Sequence, residues 1–122
     1  MFDAQILQTK SDGSSVSVFS PWLRRGGDRA LMTLDVIAAT LTAFLAELNV
    51  QLFHKNSEDT GPGTQVGSTT ITATGSGRTT AEFGTVKELV RYKFTITAGG
   101  SNDLRWALFR MLGVVWFDAV KG

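Results

Sequence analysis

His54 is the one histidine in this chain of 122 residues, and there is no cysteine. Eleven carboxylates complete the groups able to move protons near neutral pH: Asp3, Asp12, Asp28, Asp35, Glu47, Glu58, Asp59, Glu82, Glu88, Asp103 and Asp118. Serine-type acyl transfer needs a nucleophile, a base and an orienting acid. His54 sits at the end of a strand-like run, beside Lys55 and a polar loop, and no Gly-x-Ser-x-Gly elbow accompanies it. We read it as an ordinary, partly exposed strand-end residue. Glycoside hydrolysis needs two carboxyl groups facing one cleft, whereas most of the acids here fall in turns or on expected solvent faces. Without cysteine there is no thiol nucleophile, Cys-zinc site or disulfide framework. The glycine pairs Gly26-Gly27 and Gly75-Ser76-Gly77 lack the Gly-Lys-Ser/Thr ending of a phosphate-binding loop.

The densest set of oxygen ligands is Asn56-Ser57-Glu58-Asp59-Thr60-Gly61-Pro62-Gly63. Calcium takes six to eight oxygens, but the glycine and closing glutamate of the helical calcium loop are missing at the required spacing. The segment reads as a turn-forming surface loop. We therefore expect no catalytic residues, no metal and no cofactor.

The elements that would position any site look like strands. Gly and Ser punctuate the chain at residues 12–15, 26–27, 61–63, 75–77 and 99–101, and runs rich in Val, Ile, Thr, Phe and Leu lie between them. Short runs of this kind, divided by turn signals, predict an all-β antiparallel sandwich of jelly-roll type in one domain, residues 1–122, with a short N-terminal arm. In Arg91 to Ala98, Tyr92, Phe94, Ile96 and Ala98 alternate with Arg91, Lys93, Thr95 and Thr97, as a half-buried strand requires. Leu48 to Lys55 follows suit, with Leu48, Val50 and Leu52 inward and Asn49, Gln51 and Phe53 outward. Ser68 to Thr74 is Thr-rich around Ile71 and reads as an edge or exposed strand. Arg105 to Asp118 is long and mostly apolar, which predicts a central strand buried on both faces, with Gly113 able to bend it or mark a bulge.

Residues 28–48 carry two periods at once. Leu31, Leu34, Ile37, Ala38, Leu41, Leu45 and Leu48 have helical spacing, with Asp28 as a candidate N-cap. Ala30, Met32, Leu34, Val36 and Ala38 fit a two-residue period instead, and the β-branched residues favour strands. We read two antiparallel strands turning near Thr42; the alternative is an α+β fold with a helix over 28–48.

Twelve basic residues against eleven acidic ones leave a net charge of +1. Domains that bind nucleic acid through phosphate contacts are usually strongly basic, so no nucleic-acid partner is expected. Residues 1–10 do not form a secretory signal. The longest apolar-leaning stretch, 30–48, is broken by Thr33, Asp35, Thr40, Thr42 and Glu47, so no membrane partner is expected either.

The tryptophans are the strongest interaction signals. Trp22 follows Pro21 and precedes Arg24-Arg25-Gly26-Gly27, in a connection. Trp106 and Trp116 lie ten residues apart, on one face with Leu108, Arg110, Leu112 and Val114 if no bulge intervenes. That face reads as core packing, or as an interface or sugar-stacking platform, because Trp and Arg are enriched at interfaces. A buried Arg110 would need a carboxylate or carbonyl partner. Aromatic residues near chain ends, which otherwise fray, suggest that something covers them. The expected interface residues are Phe2, Trp22, Arg24, Arg25, Trp116 and Phe117.

The order of these features resembles small jelly-roll decoration, or cement, proteins of tailed-phage heads and related particles. The features are a short N-terminal arm, Pro-Trp-x-x-Arg-Gly-Gly ahead of the first long strands, the Lys-Asn-Ser-Glu-Asp-Thr-Gly loop, and a closing Phe-Arg-Met-Leu-Gly-Val-Val-Trp-Phe-Asp strand. The resemblance implies a structural subunit on a virion or particle surface, soluble and homo-oligomeric, with itself and a particle shell as partners. It assigns no individual functional residue. The alternative is a carbohydrate- or ligand-binding sandwich module.

Overall fold

A computed structural model describes residues 4–41, 46–98 and 104–118. They form ten strands: β1 (Gln5–Gln8), β2 (Val16–Phe19), β3 (Leu23–Arg24), β4 (Arg29–Ala39), β5 (Glu47–Lys55), β6 (Thr64–Ala73), β7 (Gly77–Gly84), β8 (Leu89–Thr97), β9 (Trp106–Met111) and β10 (Val115–Phe117). The protein is all-β, two antiparallel sheets packed face to face. Sheet A carries β1, β9, β4, β10 and β7; sheet B carries β2, β3, β8, β5 and β6.

Two short pairs are single strands interrupted by one extra residue. β2 and β3 both pair with β8, in registers Phe19↔Lys93 and Leu23↔Val90. β9 and β10 both pair with β4, in registers Met111↔Leu34 and Val115↔Leu31. With each pair joined, the chain is one long antiparallel ribbon. The first strand lies against the last (β1·β9), the next against the one before last (β2·β8), then β4·β7 and β5·β6. The contacts β4·β9 and β5·β8 close the ribbon into two sheets. That winding is the jelly-roll form of the sandwich.

The core follows from alternation. Tyr92, Phe94 and Ile96 of β8 and Leu48, Val50 and Leu52 of β5 are buried from sheet B, and Ala107, Phe109 and Met111 of β9 from sheet A. The Phe94 and Phe109 rings meet across the two sheets with centroids 5.0 Å apart. β6, the Ser- and Thr-rich strand, lies at an edge of sheet B, with Ile71 buried.

Segment 28–48 contains no helix among its described residues. It forms strand β4 and the start of β5, and the expected turn near Thr42 lies outside the described residues. Asp28 caps nothing helical: its carbonyl accepts from the Val86 amide at 2.9 Å. The two competing periods have a structural cause. β4 alternates through Ala30, Met32, Leu34 and Val36, then shifts register at Ile37, so that Ala38 pairs with outward Leu108 and Ala39 with inward Ala107. This bulge, one residue opposed to none, displaces the apolar pattern from strict alternation.

The closing strand differs from its expectation in one respect. It is not buried on both faces, because Trp106, Leu108 and Arg110 are only half-buried on the outer side while Ala107, Phe109 and Met111 fill the core. Gly113 does sit in an irregularity, where five residues from Met111 to Val115 oppose four from Leu34 to Leu31. The extra residue inverts the alternation. Trp106 faces outward, opposite Gln8, whereas Trp116 pairs with buried Ala30 and packs against the core. The two tryptophans therefore do not share a face. Arg110 finds its partner within the fold: its Nε donates to Asp35 Oδ2 at 2.9 Å, and Arg78 approaches the same carboxylate at 3.7 Å.

Candidate functional site

Strand register assembles an extended surface on the outer face of sheet B. The row Ser17–Thr95–Asn49–Thr72 crosses four strands, and the next row is Phe19–Lys93–Gln51–Thr70. Arg91 opposite Phe53 opposite Gln65 follows. Because β2 and β3 are separated by one extra residue at Pro21-Trp22, Trp22 comes level with Arg91. The guanidinium carbon of Arg91 lies 4.0 Å from the Phe19 ring centroid and 4.5 Å from that of Trp22. Lys55 approaches Trp22 at 4.6 Å, and Phe19 meets Phe53 edge-on at 5.5 Å. These cation–aromatic contacts are each worth about 0.5–1 kcal/mol at a half-exposed site.

Ser20 anchors the cluster. The amide of buried Ser20 donates to the Tyr92 carbonyl at 2.9 Å, and its Oγ accepts from the Tyr92 amide at 2.9 Å. Gly63 forms the floor beneath Trp22. A Cβ there would lie 2.7 Å from the His54 carbonyl oxygen and 2.8 Å from the Trp22 ring, and Gly63 already has φ of +81°. Gly63→Ala should therefore lower stability by about 1–3 kcal/mol and red-shift Trp22 emission; thermal unfolding and fluorescence of the variant measure both.

Beside the aromatic cluster the face is polar. Ser17, Glu47, Asn49, Gln51, Thr70, Thr72, Lys93 and Thr95 line a shallow trough of about 510 Å³. Internal hydrogen bonds fix several of them: Thr72 donates to Asn49 Oδ1 at 2.8 Å, Asn49 Nδ2 donates to Glu47 at 3.0 Å, and the Ser17 and Thr95 hydroxyls lie 2.8 Å apart.

Sheet A presents a different outer surface. Ile6, 67% exposed, lies opposite Leu108, with Trp106 in the adjacent row. The bulge residue Ile37 is 47% exposed, and Leu104 is also exposed. β1 stands at the edge of sheet A, and among the described residues it pairs only with β9.

The expected interface residues scatter. Phe2 lies outside the described residues. Trp22 belongs to the sheet B cluster. Arg24 is exposed on β3, and Arg25 is tied to the 86–88 loop through its guanidinium on the Val86 carbonyl. Trp116 leans on Gly26, where a Cβ would lie 2.6 Å from its ring, and Phe117 pairs with Arg29. The sequence reading missed the company that Trp22 keeps. Arg91, Lys93, Asn49, Gln51 and Phe53 each read as outward, but their adjacency depends on sheet order.

His54 is half-buried at the end of β5, and its Nδ1 accepts from the Lys87 amide at 3.2 Å. Burial, aided by the Lys87 charge, lowers its pKa below the usual histidine value. Above the unfolded pKa both states are neutral and the group is silent. As pH falls through that value the unfolded chain binds the proton first, so stability declines until the folded pKa is passed. Urea unfolding at pH 7 and pH 5 should show this decline in the parent and less of it in His54→Gln. The nearby loop folds onto itself, with the Asn56 amide donating to Asp59 Oδ2 at 3.0 Å and the Asp59 amide to the Asn56 carbonyl at 3.1 Å. Among the described residues, no three His, Asp or Glu side chains gather to hold a metal ion. No helix among them is long and apolar enough to cross a membrane.

No known protein family, curated protein or solved structure matches the chain.

Proposed function

We propose that this protein is a non-enzymatic structural subunit that assembles with copies of itself through the outer face and open edge of sheet A. One observation carries the reading: the β1 edge, Gln5-Ile6-Leu7-Gln8, adjoins the apolar row Ile6–Leu108 and carries no charge, proline or bulge over its four residues. Sheet edges are normally blunted by charge, proline or bulges. Other edges here have such features. β7 carries Arg78 and Glu82, β2 runs into Pro21, and β6 is distorted around Gly67, which has φ of +58°. Among the described edge strands, β1 and the three-residue β10 have none of them, and β1 is the one beside the Ile6–Leu108 row.

A second copy fits this edge by symmetry. Two β1 strands paired antiparallel about a two-fold axis continue sheet A from one protomer into the next, and each contact occurs twice. Ile6, Leu108 and Trp106 then become the apolar centre of the contact. A contiguous apolar patch at an open edge is the kind of surface that protein association covers. The resemblance to particle-decoration proteins supplies the setting we favour, a subunit on a virion or other particle surface, with the shell as the second partner. Light scattering at micromolar concentration tests the reading. An oligomer supports it, and a monomer at every concentration refutes it.

A further inference from the structure

The geometry points to a binding site for an uncharged glycan in the trough on the outer face of sheet B, on the sheet opposite the proposed assembly surface. The trough is shallow and open to solvent, with about 510 Å³ of space above the strands. Its lining decides the class of ligand. Every lining side chain is polar, and the one acid, Glu47, is balanced by the one cation, Lys93. An apolar ligand would strip water from these groups and return no hydrogen bonds. A polyanion would meet Glu47 as well as Lys93. A sugar hydroxyl both donates and accepts, which matches a surface of alternating amides, hydroxyls, one carboxylate and one ammonium.

The trough is held in shape while keeping bonding capacity. Asn49 is fixed from both sides by Thr72 and Glu47, so the row across β5 and β6 is set before any ligand arrives. Among the described residues, the Lys93 ammonium, the Thr70 hydroxyl and the Gln51 carbonyl oxygen make no hydrogen bond to the protein, and all three belong to one cross-strand row. Gln51 is steadied only by a long 3.4 Å bond from its amide to Gln65. At the end of that row stands Phe19, 45% exposed, with Phe53 beside it. An aromatic wall next to a row of donors and acceptors suits a pyranose ring, which is apolar on its faces and polar at its rim.

A microarray of neutral and anionic glycans, probed with the intact chain and followed by titration of any hit through tryptophan fluorescence, tests the site. Neutral glycans are expected to bind. Gln51→Ala and Lys93→Ala, both on the outer face, are each expected to weaken binding about tenfold, the scale of one lost hydrogen bond, with unchanged circular dichroism. Thr80→Ala, on the outer face of the other sheet and away from the β1 edge, is expected to bind the glycan as the parent does. Binding to anionic glycans alone, binding that both trough variants retain in full, or no binding to any glycan overturns the proposal.

Discussion

Phe109→Ala is expected to lower the free energy of unfolding by about 3–5 kcal/mol, the usual cost of removing a buried phenyl ring from a packed core. Phe109 is 1% exposed, and its ring spans the space between the sheets to Phe94 at 5.0 Å. It also sits in the central ladder of sheet A, opposite Val36 on one side and Gln5 on the other. Truncation opens a cavity where the two sheets meet, against the Phe94 ring. A typical domain is stable by only 5–15 kcal/mol, so the loss is a large part of the total. Guanidinium unfolding with an unchanged slope would show the midpoint falling for this reason. A cost below about 1 kcal/mol would mean that the two sheets do not share this ring.

Ile6→Lys should break assembly while leaving the fold intact. Ile6 is 67% exposed in the isolated chain, so its loss removes little from the folded protomer. In a two-fold contact it counts twice. Full burial of an aliphatic side chain is worth about 1.5–3 kcal/mol, so two copies contribute about 3–6 kcal/mol, or roughly a hundred- to ten-thousandfold in the dissociation constant. Lysine adds like-charge repulsion across the axis and is the residue that protects natural sheet edges. Sedimentation of parent and variant across a hundredfold range of concentration reads the shift, and thermal unfolding of the dilute proteins should be nearly equal.

The strands were legible where one face is buried and the ladder is regular. In β8, Tyr92, Phe94 and Ile96 point inward in the structure as their alternation predicts, with Arg91, Lys93 and Thr95 outward, and β5 repeats the pattern. Legibility failed where an extra residue enters a strand. Ile37 shifts the phase of β4 and lends it a false helical spacing, and the irregularity at Gly113 sends Trp116 inward although Trp106 faces out. A bulge is set by the partner strand, which local sequence does not name. The same reason hid the surfaces on both sheets. Phe19, Trp22, Phe53 and Arg91 come from three separate stretches of chain, and only the strand order β2-β8-β5 makes them neighbours. Asp35 and Arg110, 75 residues apart, are joined the same way.

Amide hydrogen exchange across β1 is the most direct probe of the claim that its edge is an assembly surface. Those amides of Gln5–Gln8 that do not bond to β9 should exchange slowly in concentrated protein and quickly on dilution, while the edge strand β6 shows no such dependence. Equal exchange rates along β1 at all concentrations would contradict the account.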